Sequence, residues 1–214
     1  MDVLEPRGAA GGPAPQRAAM KAALFVGLEG TLVDEPRFGS AIGPIPYVPG
    51  AREALSTLAR AGFHIVVVAN QSGLALGRFS RWEFSRREAK LQQEMQQAGV
   101  ELGPFVICPH APGPDGRPAC LCRLPAPGLL VRAARSRGLD MASSWIVGST
   151  REEVEAGWRA GCRSVQLQAA TCSAPPAAPA SASTSVREAT RRCADWTTVV
   201  HDLLTEPHRV QALP

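Results

Sequence analysis

Short apolar runs alternate with helical segments along the middle of this chain, and this alternation restricts the fold more than any other feature. Five runs have the length and the apolar content of buried strands. Repeated strand–helix units of this length are typical of a parallel sheet with helices on both faces. We therefore predict an α/β fold with a doubly wound parallel sheet. The predicted strands span residues 22–26, 63–69, 105–107, 145–147 and 164–167, and the predicted helices span 51–61, 80–99, 128–137 and 152–160.

Local capping signals support these helix boundaries. Ser80 and Glu83 have the Ser-x-x-Glu spacing of a capping box at the start of the longest helix. Gly62, Gly99 and Gly138 stand at or just beyond the ends of three helices, where glycine commonly terminates a helix. At 214 residues, the chain is long enough for one domain of this class with a full core.

The two ends of the chain differ in composition from the middle. Residues 1–20 are rich in Gly, Ala and Pro and are predicted to form a disordered leader, and residues 21–168 form the predicted domain. Residues 169–185 are rich in Ala, Pro, Ser and Thr without any charge, which predicts a low-complexity linker. Residues 186–206 are then predicted to form a C-terminal helix.

The C-terminal segment has an apolar stripe formed by Trp196, Val199, Val200 and Leu203. The stripe fits either a helix that docks on the domain or a helix that binds a partner protein. Docking is favoured, because an isolated helix of this length is only marginally stable in water.

The composition argues against several classes of protein. Apolar residues make up 45% and charged residues 20%, as in ordinary soluble proteins. The net charge of +4 comes from scattered residues rather than a basic stripe, so nucleic acid is not a predicted partner. Because there is no run of about 18 apolar residues and no apolar signal-peptide core, we predict a cytoplasmic monomer without a membrane span.

Two pairs of metal-ligand residues lie close together in the sequence, Cys108 with His110 and Cys120 with Cys122. Three Cys and one His are a standard ligand set for structural zinc. The residues between the pairs are rich in Pro and Gly, so a metal would supply a cross-link that the loop lacks. Because four protein ligands leave no position for a reacting water, we predict a structural zinc. The alternative is free thiols beside an unrelated histidine.

The carboxyl ends of the predicted strands, where ligands bind in doubly wound sheets, contain the remaining polar signals. Residues 24–31 resemble the first motif of haloacid-dehalogenase-type phosphatases, in which Asp-x-Asp-Gly-Thr follows a strand, and residues 66–73 resemble the second. The Cys/His loop and residues 123–128 resemble the zinc loop and third motif of the D-glycero-D-manno-heptose-1,7-bisphosphate 7-phosphatases. Residues 147–149 resemble the fourth motif, and the resemblance extends from about residue 22 to 204, apart from the linker.

The resemblance implies a magnesium-dependent sugar-phosphate phosphatase, but the residues that the chemistry needs have changed. In the family, one Asp attacks phosphorus and binds Mg²⁺, and a second Asp is the general acid/base. A hydroxyl and a lysine hold the phosphoryl group, and a further Asp completes the magnesium site. Phosphoryl transfer depends on this charge and positioning. The matching positions here, in the same order, are Gly27, Glu29, Ala69, Leu124 and Ser149, so we predict that the nucleophile and the magnesium site are lost.

Other family positions keep polar side chains, namely Asn70, Gln71, Ser72 and Arg123, and these are the predicted substrate-binding residues. Arg123 suits phosphate best, because a guanidinium group binds it with bidentate geometry. The first hypothesis is a non-catalytic member that binds a phosphorylated sugar or a protein partner. The second is a working phosphatase acting on a heptose bisphosphate, or a related metabolite, through a rearranged site. A purely structural zinc module would leave the retained residues without a role. Loss of most of a catalytic set favours the first.

Overall fold

The structure, a computed structural model, describes residues 21–35, 38–40, 43–113, 120–168 and 190–206. Within these ranges the chain forms six strands, six α-helices and one short 3-10 helix, Phe38–Ser40. The strands are β1 (Lys21–Gly27), β2 (His64–Asn70), β3 (Val106–Cys108), β4 (Leu139–Gly148), β5 (Arg163–Leu167) and β6 (Thr190–Cys193). The helices are α1 (Ala51–Arg60), α2 (Ser72–Ala75), α3 (Arg81–Gln97), α4 (Gly128–Arg137), α5 (Arg151–Ala160) and α6 (Trp196–Thr205).

The strands of the described chain form one parallel sheet in the order β3-β2-β1-β4-β5-β6. The chain adds β2 and β3 on one side of β1 and then returns to place β4 on the other side. The carboxyl ends of β1 and β4 therefore meet where the winding direction reverses, which is where such sheets bind ligands. The predicted doubly wound parallel sheet is confirmed.

The core has two apolar clusters, one on each face of the sheet. Along β1, Leu24 and Val26 belong to one cluster, and Phe25 belongs to the other, as the twofold periodicity of a strand requires. Helices α1, α3 and α6 contribute to the first cluster, and α4 and α5 contribute to the second. Both faces of β1 are thus covered, so Gly27 can be reached only from beyond the carboxyl end of the strand.

The capping box predicted for the longest helix is present. Ser80 Oγ accepts a hydrogen bond from the amide of Glu83, and the Glu83 carboxylate accepts one from the amide of Ser80. Gly138 ends α4 in the left-handed conformation that glycine adopts without steric cost. A second box starts α5, where the pair is Thr150 and Glu153.

The prediction of a continuous helix from residue 186 is wrong. The structure instead has the short strand β6, whose backbone pairs with β5 from Ser164 to Leu167, followed by a helix that begins at Trp196. The backbone groups at the edge of β5 find their hydrogen-bond partners in this strand. Asp195 then starts the helix, since its carboxylate accepts a 2.8 Å hydrogen bond from the amide of Thr198.

The C-terminal helix α6 packs its apolar stripe into the core. Trp196, Val199 and Leu203 are buried, and the indole Nε1 of Trp196 donates a 3.0 Å hydrogen bond to the carbonyl of Thr31. This bond links the end of the chain to the loop that follows β1. The leader at 1–20 and the linker at 169–185 lie outside the described residues. No helix in the described ranges is both long and apolar enough to cross a membrane.

We expect Trp196→Phe to destabilise the protein by about 1–3 kcal/mol, because the buried Thr31 carbonyl would lose its hydrogen-bond donor. For a chain of this size, each kcal/mol lowers the melting temperature by roughly 2–4 °C. The matched control is Trp158→Phe, because Trp158 is 42% exposed. Thermal unfolding measures both variants, and equal melting temperatures would contradict the anchoring role of Trp196.

Candidate functional site

The four residues predicted to bind zinc meet at one point beside the end of β3. Cys108 Sγ lies 3.3 Å from Cys122 Sγ and 3.6 Å from Cys120 Sγ, and His110 Nδ1 lies 3.2 Å from Cys122 Sγ. All four ligand atoms lie within 4.8 Å of one another. Tetrahedral Zn–S bonds of about 2.3 Å place sulfur atoms roughly 3.8 Å apart. The cluster therefore has the composition and spacing of a tetrahedral metal site.

The three thiols of this cluster differ in pKa. Burial raises the pKa of Cys108 to about 12, and the neighbouring thiols add to the increase. Although burial opposes the decrease, hydrogen bonds from Cys122 and Cys108 lower the pKa of the more exposed Cys120 to about 6. A thiol becomes a metal ligand as the thiolate, which a bound cation stabilises. Since the three sulfurs lie this close together, a metal ion is the natural counter-charge for the cluster.

The ends of β1 and β4 bring Gly27, Glu29 and Ser149 together. Ser149 Oγ donates a 3.2 Å hydrogen bond to the carbonyl of Glu29, and the Ser149 amide donates a 2.8 Å bond to Thr31 Oγ1. Ser149 therefore ties the two strand ends together through neutral hydrogen bonds. A serine hydroxyl lacks the negative charge with which a carboxylate holds Mg²⁺.

The Glu29 carboxylate is held inside the loop that follows β1. Its Oε1 accepts 3.2 Å hydrogen bonds from the Phe38 amide and from Gln71 Nε2. Burial raises the pKa of Glu29, although these two bonds favour its ionised form. The position predicted for the acid/base thus carries a carboxylate, and Gln71 is its hydrogen-bond partner.

Glu153 occupies the space beside Gly27. A Cβ atom at Gly27 would lie 2.7 Å from the carboxyl carbon of Glu153 and 2.8 Å from Thr31 Oγ1. Glu153 or Thr31 would have to shift to admit a side chain at Gly27, and Glu153 is buried and held by hydrogen bonds, so the space beside Gly27 is occupied. Glu153 is buried, and its Oε2 accepts hydrogen bonds from the amides of Ser149 and Thr150 and from Thr150 Oγ1, each 3.0 Å long.

The surroundings of Glu153 disfavour its charge. Burial raises the pKa of Glu153 to about 7, although the hydrogen bonds from Thr150 and Ser149 favour ionisation. The negative charge of Glu29 contributes to the increase. Two carboxyl groups therefore lie near the floor of the site, and neither has an ion-pair partner within the described residues.

The other two changed positions carry apolar side chains. Leu124 is buried and belongs to the cluster packed by α4 and α5, and Ala69 is buried in the cluster on the opposite face of the sheet. Both ends of the Asn70 amide bind the backbone of Leu124, with Nδ2 donating to its carbonyl at 3.1 Å and Oδ1 accepting from its amide at 3.0 Å. Asn70 therefore fixes the third motif beside the end of β2.

Arg123 and Ser72 form the outer edge of the site. Arg123 Nη1 donates a 2.8 Å hydrogen bond to Ser72 Oγ and a 3.2 Å bond to the carbonyl of His110. The guanidinium is half-buried, so it is fixed in position and still reaches solvent. Arg123 also links the edge of the site to the Cys/His cluster, because His110 is one of its four residues.

Sequence reasoning missed Glu153, the most enclosed carboxyl group of this site. A signal was available in the Thr-x-x-Glu spacing of Thr150 and Glu153, which places the carboxylate at the start of a helix. The spacing does not reveal that the carboxyl group also reaches Gly27. That contact depends on the distance between β1 and α5, which is a tertiary property.

Comparisons with known proteins place the chain among heptose-bisphosphate phosphatases. It is 33% identical over 139 residues to the D-glycero-β-D-manno-heptose-1,7-bisphosphate 7-phosphatase of Yersinia pestis, which covers 63% of this chain and 73% of that protein. The Pasteurella multocida protein of the same name is 34% identical over 140 residues, covering 64% of this chain and 76% of its own.

A solved structure gives the same result. The D,D-heptose 1,7-bisphosphate phosphatase from B. bronchiseptica, complexed with magnesium and phosphate, aligns with a TM-score of 0.71 and 27% identity. The alignment covers 87% of this chain and 99% of that one. No family model matches the chain.

Proposed function

The chain belongs to the haloacid-dehalogenase-type heptose-bisphosphate phosphatases, and we propose that it is a non-catalytic member of this family that binds a phosphorylated sugar. The observation that carries this proposal is the pair formed by Gly27 and Glu153. The nucleophile position has no side chain, and the carboxyl group of another element fills its place. A covalent phosphoryl-aspartate route requires a carboxylate that can reach phosphorus from this position.

The residues present do not fit a magnesium ion at the family's site. Mg²⁺ is bound by carboxylates together with waters and phosphate oxygens, in strict octahedral geometry. The two positions that supply those carboxylates in the family are Gly27 and Ser149. Glu153 directs one of its oxygens into three hydrogen bonds at the start of α5 and is buried, which leaves it badly placed to bind a hydrated ion. The proposed function therefore involves no magnesium chemistry.

Residues at the outer edge of the site support binding of a phosphorylated sugar. Arg123 presents a fixed guanidinium group whose fork matches the oxygens of phosphate, and Ser72 adds a hydroxyl next to it. Gln71 and Asn70 support this edge from behind through their bonds to Glu29 and Leu124. The ligand that we propose is a phosphorylated heptose or a related sugar phosphate, as the name of the family suggests.

We also propose that the Cys/His cluster holds a structural zinc ion. Cys108, His110, Cys120 and Cys122 would supply all four tetrahedral ligands, and no position would remain for substrate. The ion would fix the loop that carries Arg123. Zinc would thus support the site by positioning it and would take no part in chemistry.

A working phosphatase with a rearranged site is the second candidate, and Glu153 is also the observation that favours it. A carboxyl group lies where the family has its nucleophile, although it comes from α5 instead of β1. The two candidates differ in a direct measurement. Magnesium-dependent phosphate release by the unmodified protein, abolished by Glu153→Gln, would establish the second candidate and refute the first.

We expect heptose bisphosphate to bind in the absence of magnesium, and Arg123→Ala to weaken this binding about ten- to hundredfold. The loss corresponds to one charge-assisted hydrogen-bonded contact, worth roughly 1.5–3 kcal/mol. Titration calorimetry of the wild type and the variant measures the change. The matched control is Arg132→Ala, which removes an exposed arginine from α4 and should leave the affinity unchanged. Equal affinities for wild type and Arg123→Ala would contradict the phosphate-binding role of Arg123 and favour a protein partner as the ligand.

A further inference from the structure

We propose that Glu153 is an internal plug that fills the inner half of the phosphate pocket and excludes any anion from it. Here the plug means the Glu153 side chain from its Cβ to its carboxyl group. A ligand's phosphate is then confined to the outer edge beside Arg123, a consequence that rests on the proposed function. The plug itself is a property of the wild-type fold and can be tested without any sugar.

Two glycines make room for the plug. A Cβ at Gly27 would lie 2.7 Å from the Glu153 carboxyl carbon, and a Cβ at Gly148 would lie 2.9 Å from its Oε2. Neither glycine has the positive φ that would by itself require this residue type. The lack of room for a Cβ atom therefore accounts for glycine at both positions. Gly27, Gly148 and Glu153 fit together as one packed unit at the junction of β1, β4 and α5.

The plug also takes the hydrogen-bond donors that an anion would need. The Ser149 and Thr150 amides at the start of α5 both donate to Glu153 Oε2, and so does the Thr150 hydroxyl. Amides at a helix N-terminus are natural phosphate donors when they are free. In this chain the Ser149 and Thr150 amides already donate to Glu153, and the Ser149 amide also donates to Thr31 Oγ1.

The charges around the plug would not attract an anion into the pocket either. The ionisable group whose charge acts on Glu153 is Glu29, which is also acidic, and the buried Leu124 and Ala69 contribute no charge. Arg123 binds Ser72 and His110 at the outer edge instead of the plug. Volume, donors and charge thus all act against a phosphate behind Gly27.

The test is the binding of inorganic phosphate to plug variants, followed by titration calorimetry and by ³¹P resonance shifts. Glu153→Ala should open a cavity with free amides at the start of α5 and raise the affinity for phosphate by about tenfold or more over wild type. Glu153→Gln keeps the volume of the plug without its charge and should stay closed. The matched control is Glu152→Ala, which removes an exposed carboxylate from the same helical turn.

A folded Glu153→Ala variant that binds phosphate no better than wild type would overturn the plug. Binding by Glu153→Gln as strong as that of Glu153→Ala would also overturn it, because charge and not volume would then exclude the anion. A gain of phosphate binding in a protein whose wild type binds no sugar phosphate would support the plug and refute the proposed function. The plug and the proposed function are therefore contradicted by different results.

A stability measurement keeps the proposal testable if Glu153→Ala does not fold. Gly27→Ala should lower the melting temperature of the wild type strongly, because its Cβ meets the plug. In a Glu153→Asp background the carboxyl group is one methylene shorter, and it still caps α5. There, Gly27→Ala should cost less, and the remaining cost comes from Thr31 Oγ1, which lies 2.8 Å from the same Cβ. An equal fall in both backgrounds would show that Glu153 does not fill the space beside Gly27.

Discussion

Removal of the metal from the Cys/His cluster is expected to lower the melting temperature by at least roughly 6–12 °C, the shift produced by about 3 kcal/mol in a chain of this size. Structural zinc sites contribute more than this in small domains, because their ligands are brought together only in the folded state. Cys120→Ser combined with Cys122→Ser should lose the bound zinc, and chelation of the wild type should have the same effect. Elemental analysis and thermal unfolding measure the two consequences.

Loss of the metal should also loosen the third motif, residues 123–128, at the edge of the site. Cys122 is two residues from Leu124, whose amide hydrogen bond to Asn70 Oδ1 holds this motif to the end of β2. Hydrogen exchange at the Leu124 amide should therefore accelerate when the metal is removed. Cys162→Ser is the control, since Cys162 is buried outside the cluster and should leave zinc at one ion per chain. Equal zinc contents in the double variant and the wild type would refute the assignment.

The cluster and the sheet illustrate what the sequence alone predicts well. Cys108 lies at the end of a short strand, and its three partners lie within fifteen residues, so local spacing was enough to bring the ligands together. The strands β1, β2 and β5 are apolar runs bounded by polar or glycine residues, and the observed ranges differ from the predicted ones by one or two residues. Local chemistry determines such features, so they can be predicted from the sequence before the fold is known.

The strand β6 could not be recognised in the same way. Its sequence, Thr-Arg-Arg-Cys, has neither the alternation of a half-buried strand nor the apolar content of a central one. It becomes a strand because the edge of β5 offers hydrogen-bond partners. The apolar stripe beginning at Trp196 is visible in the sequence, but nothing local separates it from the residues before it, so the sequence predicts one helix where the structure has a strand and a helix.

The contact between Glu153 and Gly27 is a further case in which tertiary structure decides. The sequence predicts that the nucleophile is lost, because Gly27 has no side chain with which to attack phosphorus. The structure places a carboxyl group from residue 153 in the space beside Gly27, 126 positions along the chain from that glycine. On the proposed function, repair of the site therefore has to address Gly27 and Glu153 together.

Restoring the nucleophile alone, with Gly27→Asp, is expected to yield no phosphatase activity and a less stable protein. The new side chain would meet the Glu153 carboxyl group at its first carbon. Overpacking of this kind costs roughly 1–3 kcal/mol, and two carboxylates in a buried site also repel each other. Position 124 has no lysine to balance the charge of an incoming phosphate, and position 149 has no aspartate to complete a magnesium site. Melting temperature and magnesium-dependent phosphate release measure the two effects.

Restoring all five changed positions would still leave the plug in place, so we expect that variant to remain inactive. The side chains of a catalytic set act as a unit, which means that activity should return only when the set and the space for it are both present. A general acid/base alone contributes about 10²–10⁴-fold, so phosphate release about a hundredfold above the uncatalysed background is the smallest result expected from the full set. The full set is Gly27→Asp, Glu29→Asp, Ala69→Thr, Leu124→Lys, Ser149→Asp and Glu153→Asp.

The decisive comparison is between the six-fold variant and the same variant with Gly27→Asn in place of Gly27→Asp. The two side chains have nearly the same shape, so both proteins should fold alike, and only the carboxylate can attack phosphorus. We expect magnesium-dependent phosphate release from heptose bisphosphate by the first and none by the second. Activity of the five-fold variant as high as that of an active six-fold variant would show that Glu153 does not block the site. Turnover by the unmodified protein, lost on Arg123→Ala, would show that the family's chemistry survives here without its nucleophile.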